Sequence, residues 1–381
     1  VVVAAVAAVL VGLPTLAMGW LIVAAFLPLD LESISAEHPA REVVKRAEHG
    51  GAPVWSRPSA LVGYEEREVS FPSRLPEKGL AQLRGVLTVP EGEGRRPAVL
   101  LIGGSGPTNR DSVTPGDILV KFDAPFLLFQ SLSRWLGERG FVVLRYDKRC
   151  CLPCYKDVGS IDPTALVFRD FIDDAKDGVE FLAARPEVDP RAIFVVGHSE
   201  GGHFAPFVAE GDERVAGVVM LAGNVSTFER VLLDQFDALA ALRLGVGDVQ
   251  TAAAVKVQRE RYAGCFARLE GAEYDPREVC IGGGVTQEAL KDYLALSRRL
   301  PAVMEAQEAP LLYVLGSADR NVGPQEFELA VEVSARMKDV ELHYIEGVTH
   351  PLTTLQDAGQ PKGVAPKVLE VLERFLGSVR R

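Results

Sequence analysis

The segment Gly197-His198-Ser199-Glu200-Gly201, with Gly202 behind it, has the residue types and spacing for nucleophilic catalysis. It follows the apolar run 192–196 and precedes a helix-like stretch, 203–209. A G-x-S-x-G sequence between a strand and a helix forms a nucleophile elbow. The serine there sits in a strained backbone conformation, and the flanking glycines let neighbouring chain pass close by. A serine hydroxyl is a weak nucleophile until a base takes its proton, and the base must itself be oriented by an acid. In chain order the acid and then the histidine follow such a serine. Two histidines lie beyond the long stretch 226–308. His343 falls inside a strand pattern and reads as a pleat residue. His350, in Gly347-Val-Thr-His-Pro351, follows that strand in a loop where an imidazole can reach the serine. Asp319, in Gly316-Ser-Ala-Asp319, follows the preceding strand. The expected triad is Ser199, Asp319 and His350. His198 and His203 flank the nucleophile and read as structural or pocket-lining.

An acyl-transfer site also needs donors for a developing oxyanion. Ile102-Gly103-Gly104-Ser105-Gly106-Pro107 follows an apolar run, and its glycines let backbone N–H groups turn toward such a charge. Gly104 is the first choice of donor and Ser105 the runner-up. The N–H of Glu200, at the N-terminus of the helix behind the nucleophile, supplies the second. The Glu200 carboxylate is open to two readings, tuning the mouth of the site or standing in solvent.

The elements that must position these residues follow from the hydrophobic pattern. Partly alternating runs at 65–71 and 82–89 predict strands. Continuous apolar runs at 98–102, 141–146, 192–196, 215–221, 311–315 and 340–345 fit strands buried on both faces of a parallel sheet. Helical patterns at 125–139 and 170–184 lie between them, the first ending at Gly140. Alternating strands and helices predict an α/β fold with a parallel sheet, and both Asp319 and His350 fall at strand carboxyl ends, where such sheets place their sites. Residues 226–308 break the rhythm and predict a helical insertion, a cap over the site. Its apolar runs at 231–233 and 239–242 suit an acyl chain or packing on the core.

Composition narrows the function classes. With 381 residues, 48% hydrophobic and 24% charged, the chain can bury a sizeable core. A net charge of −11 without a basic run excludes nucleic acid as an expected partner. Residues 1–29 carry no charged side chain, long enough for a helix to cross a bilayer. They predict an N-terminal membrane anchor, with a cleaved signal segment leading to a secreted or periplasmic protein as the alternative. Asp30, Glu32 and Glu37 precede the first base, Arg41, which places the enzyme outside the cytoplasm. Residues 30–61 read as a linker and 62–381 as the catalytic domain. For a domain outside the cytoplasm at least one disulfide is expected among the five cysteines, and a Cys265–Cys280 bridge would close a loop of about 15 residues. The odd count leaves at least one thiol unpaired, expected within Cys150, Cys151 and Cys154; this cluster reads either as free thiols or as a bridge of Cys154 to Cys150 or Cys151, since adjacent cysteines strain the peptide between them. No second ligand pair at zinc spacing stands near this cluster, so no metal is expected.

Three segments carry a resemblance: 103–111 (Gly-Gly-Ser-Gly-Pro-Thr-Asn-Arg-Asp), 144–149 (Leu-Arg-Tyr-Asp-Lys-Arg), and Arg-Pro-Glu-Val-Asp-Pro before Gly-His-Ser-Glu-Gly-Gly at 197–202. They resemble the α/β-hydrolase esterases, in particular the bacterial acyl-esterase branch near the prolyl-oligopeptidase and serine aminopeptidase-like hydrolases. The resemblance runs from about Val62 to the C-terminus. It implies the α/β-hydrolase fold: a mostly parallel central sheet, flanking helices and a helical cap insertion. It also implies hydrolysis of small-molecule acyl esters through an acyl-enzyme, with no cofactor. A peptidase, amidase or thioesterase on the same triad is the alternative reading. A catalytically silent, membrane-tethered binding protein and a redox or metal module at the cysteine cluster are rivals of other classes. The chain departs from its relatives at Cys150-Cys151, where they continue Arg-Gly-x-Gly, and this bears on one wall of the pocket.

Overall fold

The structure is a computed structural model that describes residues 40–46, 54–56, 58–116, 121–158, 161–354 and 363–379. Its strands in chain order begin with β1 (Arg41–Lys45), β2 (Tyr64–Pro72), β3 (Gln82–Pro90) and β4 (Arg96–Ile102). They continue with β5 (Val113–Gly116), β6 (Lys121–Leu127), β7 (Val142–Tyr146), β8 (Val188–His198) and β9 (Val215–Leu221). The last are β10 (Val279–Ile281), β11 (Val285–Thr286), β12 (Leu311–Gly316) and β13 (Val340–Ile345). The helices are α1 (Leu128–Gly137), α2 (Phe168–Ala183), α3 (Glu200–Ala209), α4 (Phe228–Gly245), α5 (Val249–Arg268), α6 (Gln287–Glu305), α7 (Pro324–Ser334) and α8 (Pro366–Ser378).

Among the described residues nine strands form one sheet in the order β1-β13-β12-β9-β8-β4-β7-β3-β2. The strands from β13 to β7 run parallel. The β2–β3 hairpin and β1 close the two edges antiparallel. Every residue of β7, β9, β12 and β13 is buried, as continuous apolar runs covered by helices on both faces require. The chain passes from β4 to β7 on one side and then to β8 on the other, so the strand order reverses between β4 and β8. Ligands of open α/β sheets bind at that switch point, beyond the strand carboxyl ends. This is the expected α/β-hydrolase architecture.

The helices α4, α5 and α6 and the small β10–β11 hairpin lie between β9 and β12, so a helical insertion with one short hairpin interrupts the sheet there. Within its apolar runs Val231, Leu239 and Ala240 are buried, and Leu232, Leu233 and Leu242 pack half-buried against the core. The helix expected at 125–139 begins at Leu128 because 121–127 pair with 113–116 first.

Two expectations for the N-terminal region change. Within the stretch read as a linker, 41–45 pair with β13. Trp55 is buried there, its ring 4.9 Å from that of Phe141 and its Nε1–H donating to the Arg139 carbonyl at 3.1 Å. Second, among the described residues no helix is long and apolar enough to cross a membrane. The long helices carry many charges; α5 alone carries Lys256, Arg259, Glu260, Arg261 and Arg268. The expected transmembrane anchor is corrected on this finding, and with it the membrane as a partner and the extracytoplasmic placement. Residues 1–29, the segment of that expectation, lie outside the described residues.

Candidate active site

The turn from β8 into α3 sets Ser199 at φ 57° and ψ −123°, a region that non-glycine residues avoid. Two glycines make the turn physically possible. A Cβ on Gly197 would fall 1.9 Å from the Gly201 carbonyl oxygen, and one on Gly201 would fall 2.1 Å from that of Ile102. The backbone of β4, the elbow and α3 therefore touch directly, and the serine side chain is thrust out at the end of the sheet.

The β12 and β13 loops bring the other two groups. Asp319 is buried, and its Oδ1 accepts the N–H groups of Asn321 at 2.9 Å and Val322 at 2.8 Å. Its Oδ2 faces His350 Nδ1 at 2.8 Å, and His350 Nε2 lies 3.0 Å from Ser199 Oγ. The loops are fastened to one another: Ala318 N–H donates to the Val348 carbonyl at 3.0 Å, and Gly347 N–H donates to Ser317 Oγ at 2.9 Å. Within the histidine loop Thr349 and Thr353 bond through backbone and side chains. The structure thus brings together all three residues expected from the sequence.

The neighbouring histidines have other work. His198 Nε2–H donates to the His350 carbonyl at 2.8 Å, which holds the backbone of the histidine loop. Burial, then the nearby His350, push its pKa down to about 3, so it stays neutral and places no second cation beside His350. His203 Nδ1–H donates to the Asn224 carbonyl at 3.1 Å, and burial lowers its pKa to about 4. His343 is a buried strand residue hydrogen-bonded to Glu341 at 2.6 Å, within reach of Arg374.

The loop after β4 lies over the nucleophile. A Cβ on Gly104 would sit 3.1 Å from Ser199 Cβ, so Gly104 lies directly against the serine. Glu200 opens α3, where the first N–H groups have no partner within the helix. Its carboxylate is buried and paired with Lys148, which decides between its two readings against solvent. The run Asp147-Lys148-Arg149 after β7 fastens three elements. Asp147 accepts Arg110 N–H at 2.8 Å and pairs with its guanidinium. Lys148 reaches Glu200 and the Gly104 carbonyl. Arg149 pairs with buried Asp174 of α2 and donates to Ser73 Oγ at 2.7 Å. Burial lifts the Asp174 carboxyl to about 6 against the opposing pull of Arg149. Sequence reasoning quoted this run for its resemblance and missed its role; the partners of its side chains lie from 25 to 76 positions away. A small cavity beside it is lined by Ile102, Gly103, Tyr146, Lys148, Phe171 and Phe204 together with Asp174.

The cysteine cluster is structural. Cys151 pairs with Cys154 and Cys265 with Cys280, and Cys150 is the unpaired thiol. Burial pushes the Cys150 pKa up to about 11, so it carries no reactive thiolate. The short loop that replaces the relatives' Arg-Gly-x-Gly is held by the Cys151–Cys154 bridge and by Tyr155, whose hydroxyl donates to the Asp147 carbonyl at 2.8 Å.

Comparison with known proteins adds to this geometry. Residues 126–356, more than half of the chain and a span that includes Ser199, Asp319 and His350, match the protein family described as serine aminopeptidase, S33. Esterase EstD of Thermotoga maritima is 27% identical over 323 residues, covering 82% of this chain and 70% of that protein. Among solved structures, the acylaminoacyl peptidase of Pyrococcus horikoshii superposes with a TM-score of 0.51 at 15% identity. That match covers 83% of this chain but only 42% of the peptidase, so the chain spans less than half of its length. The acetyl xylan esterase from Paenibacillus sp. R4 gives a TM-score of 0.50 at 15% identity, over 91% of this chain and 92% of that one. At such identities these structures show the shared fold.

Proposed function

The chain belongs to the serine aminopeptidase, S33, family and is a serine hydrolase of the α/β-hydrolase fold; from that premise we propose that Ser199, His350 and Asp319 are its catalytic triad, acting on carboxylic esters. The observation that carries the assignment is the unbroken hydrogen-bonded chain from Ser199 Oγ through His350 to Asp319, at 3.0 Å and 2.8 Å, with the serine at an elbow of positive φ. His350 Nε2 takes the Ser199 proton as Oγ attacks the acyl carbonyl. Asp319 holds the Nδ1–H tautomer and stabilises the imidazolium. The N–H groups of Gly104 and Glu200 hold the oxyanion, with Ser105 as the alternative to Gly104. His350 then protonates the leaving alcohol, and a water activated by the same imidazole hydrolyses the acyl-enzyme. In this reading the catalytic domain is 62–381 and the helical insertion at 226–308 roofs the site; the strand 41–45, paired with β13, adds to the sheet edge.

Support for esters over amides comes from the Thermotoga relative, which bears the name esterase and aligns over 82% of this chain. The test is a panel of p-nitrophenyl esters of graded acyl length beside aminoacyl amides, with fluorophosphonate labelling, on wild type and Ser199→Ala. Ester turnover and labelling that vanish in a folded Ser199→Ala protein are the expected result. Faster turnover of aminoacyl amides would assign a peptidase instead, and retained activity without Ser199 would end the triad assignment.

A further inference from the structure

We propose that Lys148 is a positioning residue that ties the two halves of the oxyanion site together. The proposal rests on the reading of Ser199 as nucleophile and of Gly104 and Glu200 as flanking its oxyanion. Lys148 Nζ donates to the Gly104 carbonyl oxygen at 3.0 Å and to a carboxylate oxygen of Glu200. One ammonium thus grips the residue that lies against Ser199 and the residue that follows Ser199 in sequence.

The loop needs such an anchor. Residues 103–106 include three glycines and present few side chains by which the chain could fix them. The Gly104 carbonyl shares a rigid peptide plane with the N–H of Ser105, the alternative donor, and is joined to Gly104's own N–H through one Cα, so holding the oxygen fixes the first plane and restrains the φ and ψ that orient the second. A turn of that plane by one soft dihedral would carry a donor away from the charge it must meet. Lys148 is itself immobilised. Its backbone N–H donates to the Thr108 carbonyl at 3.1 Å, its ammonium lies 4.4 Å from the Phe171 ring centre, and its side chain is buried. Its neighbour Asp147 holds Arg110 of the same loop through backbone and guanidinium. The pair with Glu200 has no net charge, so Lys148 acts by fixing position more than by adding field at the oxyanion.

The experiment compares wild type with Lys148→Met, Lys148→Arg and the double variant Lys148→Met/Glu200→Gln. The double variant removes the lone buried carboxylate that the first leaves behind, which is the main threat to folding. Each is assayed on a short p-nitrophenyl ester for kcat and KM, and for inhibition by a trifluoromethyl ketone, which forms a tetrahedral oxyanion adduct on the serine. Thermal unfolding is followed in parallel. Misplaced donors are expected to lower kcat by about 10²-fold with KM nearly unchanged, and to weaken the ketone by a similar factor. The loss persists in the double variant after its melting temperature recovers, and Lys148→Arg restores less than a point charge should, because a planar fork cannot reproduce the geometry. A double variant with wild-type unfolding and kcat within about threefold of wild type overturns the proposal. So does a loss confined to KM. A wild-type protein that takes no fluorophosphonate and cleaves no ester overturns the hydrolase reading, and this proposal with it; no Lys148 variant can mimic that outcome.

Discussion

All ten residues of α3, the helix behind the nucleophile, are buried, whereas five of the twenty in α5, in the insertion between β9 and β12, are. The floor of the site is built from backbone against backbone. Gly197 and Gly201 leave no room for a methyl group, and its charges are buried in pairs such as Arg149–Asp174 and Lys148–Glu200. The insertion, which we propose as the roof of the site, is built from one-sided helices, with Val249 and Val257 more than 60% exposed, and is closed on itself by Cys265–Cys280. Close packing and buried pairs hold atoms to within the tolerance that proton transfer needs. One-sided helices tolerate sequence change at their exposed positions without disturbing the packing that holds the triad.

The largest effect expected is in the floor. Asp319→Asn keeps the acceptor that Asn321 and Val322 use, but its amide favours the wrong imidazole tautomer at His350 Nδ1. We expect kcat on a p-nitrophenyl ester to fall on the order of 10⁴-fold with little change in thermal unfolding. A nearly silent substitution would show that another carboxylate orients His350.

The seam between floor and roof comes next. Tyr293 of α6 stacks on Phe168 of α2 at 4.1 Å and on Phe228 of α4 at 4.4 Å, with Phe204 of α3 at 5.7 Å. Tyr293→Ala should cost about 3–5 kcal/mol of stability, read from urea denaturation. The comparison predicts two separable transitions if the roof then detaches, and a single one if floor and roof remain one cooperative unit. A loss under about 1 kcal/mol would mean that the seam is not held by this ring.

Within the roof, replacing both Cys265 and Cys280 by Ser removes a crosslink spanning 15 positions. The expected loss is about 3 kcal/mol, since the unfolded insertion regains loop freedom. Turnover of a short ester by the folded protein should stay within about twofold, because no floor contact is touched. A drop comparable to that of Asp319→Asn would erase the distinction between the two regions.

The floor is also the part most legible in the sequence. A short continuous apolar run bounded by turn residues fits a strand covered on both faces, and the spacing of glycines about Ser199 and the chain order of Asp319 and His350 are local signals. Other features depend on partners far away. The strand 41–45 is largely exposed and reads as charged linker, since it is defined only by pairing with β13. The Asp147-Lys148-Arg149 run looks like any charged loop until β4, α2 and α3 are assembled around it. The uncharged run 1–29 has the length of a membrane helix by composition alone, and that expectation found no counterpart in the fold described.

The smallest effect expected tests where floor meets roof, at His203. Its Nδ1–H is held by the Asn224 carbonyl, and its Nε2 faces Ser297 Oγ of α6 at 3.4 Å. Burial keeps the native pKa at about 4, below the ordinary 6.5, so the unfolded chain binds the proton more readily in the interval between. Stability therefore rises with pH from about 4 to about 6.5 and is lost as the pH falls through that window. His203 alone should make the protein on the order of 2 kcal/mol less stable at pH 5 than at pH 7. His198, with its pKa near 3, adds a slope of the same sign. His203→Asn keeps a donor for Asn224 and does not titrate. Urea midpoints at the two pH values should then differ less in the variant than in wild type, even if the variant is weaker at pH 7. Equal slopes would mean that His203 is accessible to protons in the native state, and that the roof does not seal the floor at this point.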